Sequence, residues 1–366
     1  MSRATGALID LAALRHNLKR VRELAPRSRV MAVVKANAYG HGLALTAQAL
    51  AGADAFAVAS LDEAQIVRRA GLSNPVVLLE GVFSEQELEE AAQWDCELVV
   101  HDDYQLKLIE KSRLKGQLGV WLKVDTGMNR LGFPPAALPD VWKRLTKAKA
   151  VKQPLRLMTH FASADEVSNP KTLAQLEAFT AATAGFEAER SIANSAGILA
   201  WPQSHADWVR PGSMLYGASP FPSKTGAEDG LRPVMTMETA LIAVKKLRKG
   251  ESVGYGGAFV APEDMALGIA AIGYGDGYPR HAPSGTPVLV KGQRVPLVGR
   301  VAMDMIALDL RNLPGAKVGD RVVAWGPELP VEEIARAAGT IPLELLCGVT
   351  QRVKFNVVDS KEKTRR

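Results

Sequence analysis

Between residues 30 and 217 apolar runs and amphipathic segments take turns. The runs VMAVVK, AFAVAS, PVVLLEG and CELVVHD are short and continuously apolar, the pattern of strands buried on both faces. LALTAQALA, LDEAQIVRRAG, SEQELEEAAQ and DYQLKLIEKS lie between and after them and repeat their apolar positions at helical spacing. GVWLKVDTG, LRLMTHFA, RSIANSA and DWVRPGSMLYG extend the series to eight strand candidates. Eight parallel strands separated by helices, over a length close to that of a barrel, indicate a (β/α)8 TIM barrel more than an open sheet. Beyond about residue 230 the rhythm changes. TALIAVKKL, ALGIAAIGYG, PVLVKGQRVPLVGRV, MIALDL and DRVVAWG are rich in Val and Ile, broken by Gly and Pro, and accompanied by one helix around VEEIARAAG. The expected fold is α/β, with an N-terminal (β/α)8 barrel over residues 1–230 and a C-terminal mostly-β domain over residues 231–366. The first few residues are candidates to rejoin the second domain.

Composition narrows the function. At 366 residues the chain exceeds a single ordinary core, and 47% hydrophobic with 23% charged residues describes a globular protein. The net charge of +6 comes from Lys and Arg scattered among acidic residues, without the stripe or aromatic interleaving of a nucleic-acid binder. The terminal KEKTRR is one like-charge cluster, read as a frayed, solvated tail. Cys96 and Cys347 are too few for a disulfide framework or a zinc site, and no metal is expected. Asp10, Arg15 and Lys19 interrupt any apolar leader, and no later run is long enough for a bilayer, so the expected location is cytoplasmic, away from membranes. GYGDGY and GYGG have the wrong spacing for a dinucleotide fingerprint and lie outside any strand–turn–helix unit.

In a barrel of this kind the residues at strand ends and in the loops after them converge on one mouth. Those residues are Lys35 and Tyr39 after the first strand, Arg130 after the fifth, His160 ending the sixth, Ser195 on the seventh, and Arg210 with Gly212 on the eighth. The loops NSAG and RPGS supply the small residues and N–H groups that suit a phosphate. An isolated strand-end lysine ordinarily lays its stem on apolar surface with its ammonium in water. Desolvated, the same amine becomes a Schiff-base partner or a proton-transfer base. Singly, a core histidine, a surface cation and a turn glycine are equally ordinary readings of the rest. Taken together, a lysine, a phosphate cradle and two arginines at one mouth suggest pyridoxal 5′-phosphate, whose aldehyde needs a lysine and whose phosphate needs donors.

VVKANAYGHG, VDTGMNRLG, MTHFASAD, NSAG, VRPGSMLYG, VGYGGAF, IGYGDGYPR and GRVAMDM occur in the order found in alanine racemases, the fold-type III pyridoxal-phosphate enzymes. The chain resembles that family over nearly its whole length. The resemblance implies interconversion of L- and D-alanine, serving either peptidoglycan synthesis or alanine catabolism. It implies that Lys35 holds the cofactor and then acts as one base, and that Tyr255, entering from the partner subunit, is the opposite base. Arg210 resembles the arginine facing the pyridine nitrogen, and His160 the histidine between it and that tyrosine. Arg130 resembles the arginine on the cofactor's phenolic oxygen and the substrate carboxylate, and Lys123 matches a position carbamylated in many relatives. Tyr39, Ser195, Gly212 and Ser213 resemble phosphate ligands. Met303 resembles a backbone contact to the substrate carboxylate, beside Asp304, and Tyr274, Asp165, Arg280 and Arg300 resemble entry-corridor residues. A homodimer with composite active sites follows from these roles.

The chemistry is consistent with those residue types. Racemisation takes a proton from one face of the α-carbon and returns one to the other, which two bases on opposite faces serve better than one. A free tyrosine titrates near pH 10, so cations must favour its phenolate for it to accept a proton near neutrality. Two positions depart from the family pattern: Ala302 stands where many relatives have Cys or Ser, and Gln351 where some carry a phosphate-bonding tyrosine. Two other readings share parts of the pattern. A non-catalytic pyridoxal-phosphate homeostasis protein has the barrel and lysine but lacks a second domain and any counterpart of Tyr255; the chain length argues against it. A fold-type III amino-acid decarboxylase would betray itself by carbon dioxide release.

Overall fold

The computed structural model describes residues 3–359, so the basic cluster at the C-terminal end lies outside the described residues. The chain forms two compact units, one made by Asn17–Leu215 and the other by the residues on either side of it. Apart from β1 (Gly6–Asp10), which belongs to the second unit, the early strands close the first. They are β2 (Arg29–Val33), β3 (Ala55–Val58), β4 (Val76–Leu78), β5 (Cys96–Val100), β6 (Leu118–Lys123), β7 (Val151–Met158), β8 (Arg190–Ser191) and β9 (Trp208–Val209). Each is parallel to the next, and β9 returns to β2 through Arg29↔Trp208 and Val30↔Val209, closing an eight-stranded barrel. All eight strand candidates are present.

The apolar runs are continuous because both strand faces are covered. Met31, Val33, Ala55, Ala57, Val77, Val99, Trp121, Met158 and Trp208 fill the barrel interior. Their neighbours Ala32, Phe56, Val76, Leu78, Leu98 and Leu157 are also buried, and in a barrel that face lies under the helices. Toward the strand beginnings, Trp121 and Trp208 meet edge to face at 5.7 Å. Their indole N–H groups donate to Glu97 (2.8 Å) and Glu189 (2.9 Å), and Arg156 ties those two carboxylates together at 2.7 and 3.1 Å. The polar ends of the tryptophans are thereby satisfied, and the floor is a packed layer.

The helices begin where the sequence supplies caps. Ser60, Ser84 and Asp102 accept the N–H groups of Glu63, Glu87 and Tyr104 and open Leu61–Arg69, Glu85–Gln93 and Asp103–Lys111. Short loops then return the chain to the next strand.

The second unit is mostly β. It contains β10 (Met235–Leu247), β11 (Ser252–Val253), β12 (Phe259–Val260), β13 (Met265–Ala270), β14 (Pro287–Val290), β15 (Gln293–Val298), β16 (Ile306–Asp309), β17 (Arg321–Trp325) and β18 (Lys354–Val358). β10 is long enough to pair with β17 through its first half and with β13 through its second, which closes β10, β13, β16, β15, β14 and β17 into an antiparallel ring. β1 joins this sheet between β10, antiparallel, and β18, parallel. Besides the expected helix, Val331–Ala338, a second one covers Pro342–Cys347. β11 and β12 form a small hairpin around the VGYGGAF segment.

Candidate active site

Every candidate in the first unit lies on the carboxyl side of a barrel strand. Lys35 follows β2, Lys123 ends β6, Arg130 lies in the loop after it, His160 follows β7, Ser195 follows β8, and Arg210, Gly212 and Ser213 follow β9. Asp165 sits in the loop after β7, half-buried.

The backbone after Lys35 is unusual. Ala36, Asn37, Ala38 and Tyr39 all have φ between 52° and 54°, a left-handed turn built without glycine. Such a conformation costs about 1–2 kcal/mol per residue, so the surroundings must hold it. Glu63 accepts the N–H of Ala36 at 2.6 Å, and Asn37 Oδ1 accepts that of Leu43 at 2.9 Å. Tyr39 is thereby turned toward Gly212: a Cβ at position 212 would lie 2.8 Å from the Tyr39 hydroxyl. Ser195 Oγ accepts the N–H groups of Gly212 (2.9 Å) and Met214 (3.4 Å), fixing the loop after β9 beside the loop after β8.

Arg210 is almost fully buried. It donates to Ser191 Oγ at 2.6 Å, to the carbonyls of Thr159 and Ile192, and to His160 Nδ1 at 3.3 Å. Burial pulls its pKa down to about 10, which still leaves it charged at neutral pH. Burial, then the positive charges of Arg210, Lys123, Arg130 and Lys35, hold His160 well below the ordinary histidine range. A neutral imidazole that accepts at Nδ1 carries its hydrogen on Nε2. Lys123 is pulled down to about 8, first by burial and then by Arg210, Arg130 and Lys35, against a smaller opposing effect of Asp125. Four cations thus face one mouth. Such a place suits a ligand bearing a phosphate and a further negative charge, and the missing side chain of Gly212 is what lets the Tyr39 hydroxyl come close to the backbone of the loop after β9.

Two polar residues that the sequence reading missed organise this mouth. Glu63 is one. The other is Gln175, buried in the helix Lys171–Thr183, whose Oε1 accepts from Ala162 N (2.8 Å) and whose Nε2 donates to the His160 carbonyl (3.0 Å) and Thr126 Oγ1 (3.4 Å). The Arg130 loop is further closed by Asp125, whose Oδ1 accepts the N–H groups of Gly127 and Asn129 at 2.9 and 3.1 Å. A cleft of about 470 Å³ beside it is lined by Phe83, His101, Tyr104 and Arg130, among others, but not by Lys35 or Arg210.

The remaining candidates belong to the second unit and lie at its surface. Tyr255 is 68% exposed, Met303 51% and Tyr274 40%; Arg280 and Arg300 are exposed as well. Tyr255 stands between Gly254 and Gly256, at φ of 70° and 69°, and a Cβ on Gly256 would come 3.4 Å from Arg300. The Tyr274 and Met303 loops are zipped together, with Tyr274 N donating to Ala302 O (3.0 Å) and Gly275 N to Met303 O (2.8 Å). Beneath them Asp276, fully buried, takes Arg3 at 2.7 Å and Arg352 at 2.9 Å, while Asp304 takes Arg352 from the other side. Gln351 is exposed beside that arginine. Replacing Asp276 with alanine leaves the buried Gly273 N–H without its acceptor, while both arginines, each about a third exposed, keep Asp304; a loss of about 1–3 kcal/mol is expected in chemical denaturation. A loss below about 1 kcal/mol would show that the carboxylate adds nothing beyond surface ion pairs.

Comparison with known proteins agrees with this layout. The alanine racemase N-terminal domain model matches residues 9–220, and the alanine racemase C-terminal domain model matches residues 234–357. An alanine racemase from Nitrosococcus oceani is 59% identical over 347 residues, 95% of this chain and 97% of its own. One from Halorhodospira halophila is 51% identical, covering 99% of this chain and all of its own. The crystal structure of the biosynthetic alanine racemase from Pseudomonas aeruginosa superposes with a TM-score of 0.95 at 47% identity, over 97% of this chain and 99% of that one. With both domain models matched in order and full-length relatives at this identity, the chain belongs to the alanine racemase family.

Proposed function

We propose that this protein interconverts L- and D-alanine with pyridoxal 5′-phosphate at the barrel mouth, in a homodimer whose active sites are composite. The observation that carries the reading is the convergence of Lys35, Lys123, Arg130 and Arg210 on one mouth, beside a neutral His160. Bound there, pyridoxal phosphate supplies an electron sink that acidifies the α-C–H of an amino acid. Lys35 would hold its aldehyde, Tyr39, Ser195, Gly212 and Ser213 its phosphate, Arg130 its phenolic oxygen, and Arg210 its pyridine nitrogen.

Arg210 fixes the character of the chemistry. A guanidinium donates and does not give up its proton near neutrality, so a ring nitrogen placed against it would stay an acceptor. Side reactions that need a fully protonated ring are thereby disfavoured. Lys35 Nζ exchanges a proton with one face of the α-carbon, and Tyr255 of the partner subunit exchanges one with the other. His160 Nε2–H, held by the Arg210 contact at Nδ1, donates toward that tyrosine's oxygen and favours its phenolate. Arg130 and the Met303 backbone bind the substrate carboxylate, while Asp165, Tyr274, Arg280 and Arg300 line the way in.

The exposure of Tyr255, Tyr274, Met303 and Met305 supports the dimer, since four large side chains on one unit are left for a second copy to cover. No helix among the described residues is long and apolar enough to cross a membrane, and we place the enzyme in the cytoplasm, making D-alanine for peptidoglycan or consuming alanine in catabolism. Incubating purified protein and pyridoxal phosphate with each L-amino acid, and quantifying the D-enantiomers, tests the activity. D-alanine formation without carbon dioxide supports it; gas release from any amino acid would point to a decarboxylase.

Lys123 is the proposed carbamylation site. Its neutral amine adds to carbon dioxide with loss of one proton, and the resulting anion sits among the three cations that depressed the amine. Because only the neutral form reacts, carbamate should grow as pH rises toward and through about 8 and disappear on acidification. With ¹³C-bicarbonate, a carbamate carbon resonance is expected in the parent and not in Lys123→Ala. A resonance that persists in the variant would assign the adduct elsewhere.

A further inference from the structure

The left-handed turn after Lys35 has backbone bonds of its own, Gly40 N–H to Ala36 O and Gly42 N–H to Asn37 O, both at 3.0 Å. The N–H groups of its first two residues are instead taken by one carboxylate from outside the segment. Glu63 Oε1 accepts the N–H of Ala36 at 2.6 Å and that of Asn37 at 3.4 Å, the first two residues of the turn. Its other oxygen accepts the N–H of Ala59 at 2.8 Å, just past the end of β3. A glutamate three residues into a capped helix commonly folds back onto the N-cap's own N–H. Glu63 instead serves Ala59, one residue before the Ser60 cap, and reaches across to the neighbouring strand. β2 and β3 are adjacent in the barrel, paired at Val33↔Ala57. One side chain therefore ties the ends of two neighbouring strands together at the residue that follows Lys35.

We propose that Glu63 is a positioning residue for Lys35. It holds residues 36–39 at positive φ, and that turn sets the direction in which the lysine enters the mouth. Alanine, asparagine and tyrosine do not keep four consecutive left-handed conformations unaided. Ala36 and Asn37, whose N–H groups start the turn, are exposed to water that would compete for them if the carboxylate were gone. The proposal rests on the reading of Lys35 as the lysine that holds the cofactor.

The experiment compares the parent, Glu63→Ala, Glu63→Gln, Ala36→Gly and the Glu63→Ala/Ala36→Gly double variant, with Lys35→Ala as control. Two readouts are independent of turnover: amide hydrogen exchange over residues 35–42 without cofactor, and the rate at which added pyridoxal phosphate becomes fixed to the chain by borohydride. Glu63→Ala should speed exchange in this segment and slow capture, each by roughly tenfold, since a charged acceptor is lost from three N–H groups. Glu63→Gln keeps one acceptor oxygen and should fall between. Glycine takes positive φ without the Cβ penalty, so Ala36→Gly should restore much of the lost capture rate in the Glu63→Ala background. A residue that only supported the fold would not be rescued by a glycine in the turn.

Unchanged capture in both Glu63→Ala and Glu63→Gln, with Lys35→Ala inert, would overturn the positioning role and leave the lysine reading intact. Capture persisting in Lys35→Ala would overturn the lysine reading itself. If Glu63→Ala does not fold, Glu63→Gln and its combination with Ala36→Gly carry the comparison. A double variant slower than its Glu63-substituted parent would also refute the proposal.

Discussion

Lys35→Ala is expected to reduce racemisation by roughly a thousand- to ten-thousand-fold, because the covalent hold on the cofactor and one proton carrier are lost together. The fold should survive. Lys35 is only half-buried at the strand end, and alanine adopts the same backbone there. After borohydride treatment the parent should retain cofactor on the peptide containing Lys35, and the variant should retain none. Cofactor fixed at another lysine in the variant would show that the wrong amine has been identified. Added methylamine should recover part of the proton transfer if the site is otherwise intact.

The second large effect concerns the subunit boundary. If Tyr255 comes from one chain and Lys35 from the other, Lys35→Ala and Tyr255→Phe homodimers are each nearly inactive. Mixed dimers contain one doubly damaged site and one intact site. Random pairing makes half of the dimers mixed, so co-expression should recover about a quarter of the parent activity per total site. The recovery should rise with the heterodimer fraction. Isolated heterodimers carrying distinct tags that are no more active than either parent variant would place the tyrosine in the same site as its own chain's lysine.

Much of the barrel was legible because its signals are local. A strand buried on both faces is a continuous apolar run, and the polar residue that ends it marks the mouth; Lys35, His160 and Arg210 were found this way. The helices Leu61–Arg69, Glu85–Gln93 and Asp103–Lys111 were legible from the apolar spacing of LDEAQIVRRAG, SEQELEEAAQ and DYQLKLIEKS. β18 was not legible, since most of KFNVV is exposed and no buried face imposes an alternation on it. The left-handed turn was hidden for a different reason. Of Ala36, Asn37, Ala38 and Tyr39 only asparagine favours that conformation, and the carboxylate that enforces it lies 27 residues away from Ala36 in sequence.

Gln175 could have been found. Thr172, Gln175, Phe179 and Thr183 recur at helical spacing on the buried face, so an amide there had to be satisfied by something inside. The Asp276 cluster could not. GYGDGY reads as a turn in which aspartate is ordinary, and its two arginines arrive from opposite ends of the chain.

Two bases on opposite faces leave a direct isotopic signature. When L-alanine carrying protium at its α-carbon is converted in deuterium oxide, the base that takes the proton is not the base that returns one. D-alanine from the first turnovers should therefore carry deuterium at the α-carbon, while the remaining L-alanine still carries protium. Early D-alanine that retains its protium would mean that a single group carried the proton from one face to the other, and would contradict the pairing of Lys35 with Tyr255.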